Sequence, residues 1–238
     1  METLKGKQVL VVGATGTIGA AIVKLLIGSG ANVAITGRES SKLADLATSV
    51  GISQERCFLM DLSNTASIQA AMASLKQVMP VVDIMVNAAG IGIIKPLEML
   101  SENDFMQSLQ VNLIGVFHLM QAILPSMKEQ KKGLIINIPG VLGKVPMAGA
   151  AAYSASKYGL VGMMQSIREE LKRTEIRITN LFLGGVDSAF WDQIDLRVQR
   201  DKMVVADEAA KAVWFLCQQP RSGVVSEMVL QPFNHQAI

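Results

Sequence analysis

The 238-residue chain predicts an α/β fold: a doubly wound, seven-stranded parallel sheet with helices on both faces. Two observations carry that expectation. Short apolar runs alternate with helical segments along the whole length, and parallel strands need such crossovers. Four of the runs are almost unbroken Val, Ile, Leu and Met, as strands covered on both faces must be.

The elements follow in order. Residues 8–12 (QVLVV) form the first strand, and a helix is expected over 18–28. Residues 32–36 (NVAIT) form the second, before a helix at 41–49. CFLM at 57–60 is the third, before a helix at 64–78. DIMV at 83–86 is the fourth, and the long stretch 102–128 follows as one helix. LIINI at 134–138 is the fifth, with a helix over 152–173. IRITNLF at 176–182 is the sixth, followed by a helix at 207–218 that Asp207 is placed to cap. VVSEMVL at 224–230 is the seventh. No repeat, low-complexity segment or linker interrupts, so residues 1–238 read as one domain.

Composition narrows the function classes. Half the residues are hydrophobic and 18% are charged, as in a soluble globular protein. A net charge of +2 with no basic run gives nucleic acid or an anionic surface nothing to bind. Cys57 and Cys217 lack framework spacing and read as free thiols of a reducing compartment, which with the absence of a signal-like N-terminus places the protein in the cytoplasm. Phe105 to Met127 carries no charged residue, but its Gln, Asn, His and Pro content favours a buried or interface helix over a membrane span. Two widely separated histidines and isolated cysteines support no metal site. His118 reads as a core or interface residue.

The first βα turn reads VVGATGTIGAAIVKLL, with Gly13, Gly16 and Gly19. Glycine is needed where a chain turns sharply, where it approaches a pyrophosphate and where helix meets strand. An ordinary glycine-rich turn is the alternative, but the position between first strand and first helix favours a dinucleotide site. At the end of the second strand an acid would hold a ribose 2′-hydroxyl and repel a 2′-phosphate. Here Gly37 is followed by Arg38, then Glu39 and the hydroxyls of Ser40 and Ser41. The guanidinium fork suits phosphate, so NADP(H) is the expected cofactor, with Glu39 pulling the other way.

Tyr153 and Lys157 lie at i and i+4, on one helical face. A nearby ammonium favours phenolate, so the tyrosine is expected to have a lowered pKa and to exchange a proton with a carbonyl or alcohol oxygen. Tyr-x-x-x-Lys also occurs on many exposed helices without function.

Together these pieces resemble the short-chain dehydrogenase/reductase family over nearly the whole chain. The glycine turn from Gly13 through Thr15, Gly16, Thr17 and Ile18 to Gly19 comes first. Asp61-Leu62 follows where the family holds adenine, then Asn87-Ala88-Ala89-Gly90 behind the cofactor. Asn112, Tyr-Ser-Ala-Ser-Lys at 153–157 and Gly-Gly-Val-Asp-Ser at 184–188 complete the order. The resemblance implies a Rossmann fold with Tyr153 as general acid/base. Lys157 would hold the nicotinamide ribose and lower the tyrosine pKa, and Asn112 would anchor a water and proton path. Gly184, Val186 and Ser188 would meet the nicotinamide end. It also implies a homodimer or homotetramer through the two long helices, with Leu109, Leu113, Phe117 and Met120 on the interface; core packing explains those positions almost as well.

Three positions depart from the family pattern. Gly16 stands one residue earlier than in the classical branch, a spacing that resembles the extended branch. Leu183 replaces a proline. Gly140, preceded by Pro139, occupies the place of the catalytic serine, and Ser154 on the helix points about 100° away from Tyr153 and cannot substitute. Two readings follow: an NADP(H)-dependent oxidoreductase interconverting a ketone or aldehyde and an alcohol, or a weakly active or inactive cofactor-binding homologue acting as sensor or scaffold. Gly140→Ser is expected to raise kcat provided the backbone tolerates a side chain. Residues 189–205 are expected to form a lid whose Phe190, Trp191, Leu196 and Met203 suggest an apolar pocket. The ending VSEMVLQPFNHQAI lacks the glycine-rich close of the fatty-acid-synthesis reductases, which argues against an acyl-carrier substrate. The substrate itself and the direction of reaction are not legible.

Overall fold

The computed structural model describes residues 2–194, 196–220 and 222–234, so position 195 of the expected lid and the last four residues lie outside it. Among the described residues there are seven strands: β1 (Gln8–Val12), β2 (Asn32–Gly37), β3 (Cys57–Leu59), β4 (Ile84–Asn87), β5 (Lys132–Asn137), β6 (Glu175–Leu183) and β7 (Glu227–Leu230). They form one sheet in the order β3-β2-β1-β4-β5-β6-β7, and every neighbouring pair is parallel. Seven α-helices accompany them: α1 (Thr17–Gly28), α2 (Ser40–Val50), α3 (Thr65–Val78), α4 (Glu102–Leu109), α5 (Gly115–Gln130), α6 (Ala151–Leu171) and α7 (Ala206–Cys217).

Each inner strand serves two cores, because successive side chains point to opposite faces. Val9 and Val11 of β1 join the cluster under α1, α2 and α7, while Leu10 and Val12 join the one under α3, α5 and α6. β1 lies between β2 and β4, so the winding reverses there and opens a crevice at the carboxyl ends of β1 and β4.

Four details differ from the sequence expectation. The stretch expected as one helix over 102–128 is two, joined by a π-helical turn at Gln110–Ile114. Val205 caps α7, and Asp207 sits inside its first turn, where its charge faces the positive end of the helix dipole. β7 begins at Glu227 rather than at 224. Met120 is core, 1% exposed. Glu102–Gln130 is long and apolar enough to cross a membrane by length and composition, yet Val116, Leu119, Ile123 and Met127 are buried like Met120.

Candidate active site

At the switch point lies a cavity of about 280 Å³ floored by the first βα turn. Gly13 has φ +78°, and a Cβ there would overlap the Ala89 backbone; one on Gly19 would overlap the Gly13 carbonyl. Only bare backbone lets β1, α1 and the end of β4 approach this closely. Gly16 caps α1 with extended backbone and no side chain, and no acid stands in the first turn. The positive end of α1 is therefore left for an anion. Thr15, Thr17, Arg38, Leu62, Ala88, Ala89 and Gly90 line the same cavity. Ile18 packs instead against the core, and Asp61 serves its own turn, its Oδ1 accepting from the Ser63 N–H at 2.8 Å and hydroxyl at 2.7 Å. A wider hollow of about 570 Å³ opens near the opposite, amino-terminal ends of the strands. Its Arg177 already donates to the Pro220 and Gly223 carbonyls.

Charge at the cavity mouth is divided. Lys42 pairs with Glu39 at 2.8 Å, which engages the acid next to Arg38 in the chain. Exposed Arg38 has no ion pair or hydrogen bond among the described residues.

Tyr153 and Lys157 stand in the first two turns of α6. Asn112, fully buried, sits on the π turn, which inserts a residue and re-aims the side chains it carries. Its Oδ1 accepts the Ile91 N–H at 2.9 Å, and its Nδ2 donates to the Ile91 carbonyl and to Ser156 Oγ, both at 3.0 Å. Ser156 Oγ in turn donates to the Tyr153 carbonyl at 2.7 Å. Lys157 and Asn112 meet at Gly90: a Cβ there would stand 2.9 Å from Lys157 Nζ and 3.1 Å from Asn112 Oδ1.

Lys157 is 3% exposed, and no carboxylate among the described residues pairs with it. Burial pushes its ammonium down to about 8 and pushes the Tyr153 phenol above its ordinary value. The lowered tyrosine expected from the sequence is thus reversed. Lys157 is stripped of water and Tyr153 is partly so, and an ammonium 5.5 Å from the ring centroid does not offset that.

Gly140 has φ +74° and ψ 166°, a conformation open essentially to glycine alone. Space is not the obstacle, since a Cβ would lie 3.7 Å from the Tyr153 hydroxyl and 3.6 Å from the Leu183 carbonyl. The backbone condition attached to Gly140→Ser is therefore not met.

Beyond β6, Val186 is buried and bridges to Val204, and Gly184 lies against Pro232. Ser188 Oγ donates to the Val186 carbonyl at 3.3 Å. The lid contains two short 3₁₀ turns, Ala189–Gln193 and Arg200–Lys202. Arg200 holds them together through Asp187 at 3.2 Å, Asp192 at 2.9 Å and the Ser188 carbonyl. Phe190 and Trp191 face inward on this frame, whereas Leu196 is 43% exposed. Met203 packs near Gly185.

The family model described as short chain dehydrogenase matches residues 7–198. The chain belongs to the short-chain dehydrogenase/reductase family. An uncharacterised oxidoreductase of Staphylococcus saprophyticus is 30% identical over 235 residues, covering 98% of this chain and all of the relative. The structure of an alcohol dehydrogenase from the archaeon Thermococcus sibiricus, complexed with 5-hydroxy-NADP, superimposes with a TM-score of 0.88 at 26% identity, covering 98% of this chain and 100% of that one. A metagenomic short-chain oxidoreductase in complex with NADP gives a TM-score of 0.82 at 31% identity, over 97% and 99% of the two chains.

In this short-chain dehydrogenase/reductase the structure also recruits residues that motif reading passed over. Ser156 lies inside the Tyr-Ser-Ala-Ser-Lys segment, yet its bond to Asn112 depends on a helix 44 residues away. Asn87, taken from the sequence for the cofactor side, is 1% exposed and belongs to an amide ladder. Its Nδ2 donates to Asn137 Oδ1 at 2.9 Å, and Asn137 Nδ2 donates to Asn180 Oδ1 at 3.3 Å. The three sit at matching registers of β4, β5 and β6. An asparagine within or directly after each of three apolar runs was the available signal. Lys42, lining the mouth, and Gly92, beneath Phe190, carried none.

Proposed function

We propose that this chain is an NADP(H)-dependent oxidoreductase of the cytoplasm that interconverts a carbonyl and an alcohol. The observation that carries the reading is the meeting of Lys157 and Asn112 at Gly90, with the Tyr153 ring centroid 5.5 Å from Lys157 Nζ, on the rim of a cavity whose mouth holds the unpaired Arg38. The uncapped N-terminus of α1 fits a pyrophosphate, and the free guanidinium fits a 2′-phosphate. When bound, the nicotinamide supplies hydride. Tyr153, kept protonated by burial, is in the state that gives a proton to a carbonyl oxygen. Lys157 places an ammonium donor beside Gly90, and Asn112 holds the Gly90–Ile91 backbone in place. Arg38→Ala should remove most of an NADPH preference of about tenfold or more while sparing NADH, read by titration calorimetry. Tyr153→Phe should abolish NADPH oxidation on every active member of a carbonyl panel; equal rates in the two proteins would refute the assignment.

The second reading, a cofactor-binding homologue with little turnover, is favoured by Gly140, which brings no hydroxyl to the site and whose backbone excludes one. A missing donor to a developing oxyanion costs about 10²–10³ in rate. Gly140→Ser should lose about 1–3 kcal/mol of stability to backbone strain and gain no rate. Wild-type protein that binds NADPH but shows no Tyr153-dependent turnover would establish the second reading.

A further inference from the structure

Resting on the reductase reading, we infer that the Phe190 ring, packed beside the Tyr153 ring, walls the site and sets the size of substrate it admits, selecting small carbonyl compounds. The ring centroids of Phe190 and Tyr153 are 5.8 Å apart and tilted by 56°. On its other side Phe190 lies directly on Gly92, where a Cβ would overlap the ring. Gly92 is not at positive φ, so the ring, and not the backbone, is what its missing side chain serves.

Phe190 is also held. Trp191 packs edge-on against it at 5.2 Å and is itself anchored by a 2.9 Å bond from its indole N–H to the Val186 carbonyl. The preceding Ala189 N–H reaches Thr17 Oγ1 at 3.3 Å, tying the lid to the glycine turn. Arg200 clasps the same turn through Asp187 and Asp192. A ring fixed from three directions is a wall, and a substrate group on that side of the carbonyl must be small enough to share the space. One or two methylenes of mismatch against such a wall are worth about 10- to 200-fold in discrimination.

The test uses two diketones of similar reactivity and different bulk, butane-2,3-dione and 1-phenylpropane-1,2-dione. Their affinities for the NADP⁺-saturated protein are measured by calorimetry, with NADPH turnover followed in parallel. Wild type should favour the smaller dione, and Phe190→Ala should shift the affinity ratio toward the phenyl compound by about tenfold or more. Gly92→Ala should change the ratio in wild type but not in the Phe190→Ala background, because the ring that its methyl would strike is then gone. An unchanged ratio in Phe190→Ala, or binding of neither dione to any variant, overturns the inference. Loss of Tyr153-dependent turnover with the ratio shift intact sinks the reductase reading and leaves Phe190 as the wall.

Discussion

Lys157 shows what the site demands of a single residue. Its amine ionises at 10.5 in water and at about 8 when buried, so between those values the folded protein binds fewer protons than the unfolded chain. Stability therefore rises with pH through that window, and below about 8 the full penalty of about 3 kcal/mol applies. Lys157→Met should melt higher than wild type at pH 7, with the gap closing as pH approaches 10.5; thermal melts across that range check it. A gap that does not change with pH would mean the ammonium is solvated. The lysine and its i, i+4 tyrosine were legible as letters. Their pKa directions were not, because desolvation comes from segments far along the chain. Gly140 is similar: the absent hydroxyl was readable, and the positive φ that keeps it absent was not.

Among the elements, β4, β5 and β6 are locked by side chains as well as by backbone. Asn87, Asn137 and Asn180 occupy one row across the sheet, and all three are buried. Asn137→Leu orphans Asn87 Nδ2 and Asn180 Oδ1 at once, and each unsatisfied buried group costs about 1–3 kcal/mol. The expected loss is about 3 kcal/mol in urea unfolding at unchanged m-value; less than about 1 kcal/mol would mean that water or rotation satisfies the orphans. Strand and helix positions followed from apolar runs to within a few residues. The π turn at 110–114 did not, because its extra residue depends on Asn112 gripping Ile91 from another segment.

For the whole molecule, the second copy is the expected partner. Met106 on α4, Phe117 on α5 and Tyr158 on α6 are 49%, 42% and 45% exposed; α4 packs against α6, and the π turn that joins α4 to α5 touches α6 as well. Exposed apolar side chains gathered on neighbouring helices are costly in water and favour burial between subunits. We expect a homodimer or homotetramer, and Phe117→Asp should raise its dissociation constant about tenfold or more. Light scattering on both proteins tests this, and a wild-type monomer at micromolar concentration would defeat it.

The order of the elements, the parallel sheet and the family were determined by sequence alone, because apolar periodicity, glycine placement and motif order are local and survive without coordinates. Tertiary structure decided what those residues face. Asn87 was assigned to the cofactor and proves to be bonded to Asn137. Met120 was open to interface or core, and the fold puts it in the core. Phe190 was one apolar letter in a lid, and only the fold laid it on Gly92 beside Tyr153. In each case the deciding partner lies tens of residues away, and burial, hydrogen bonding and shielding from water exist only once the chain has brought the two together.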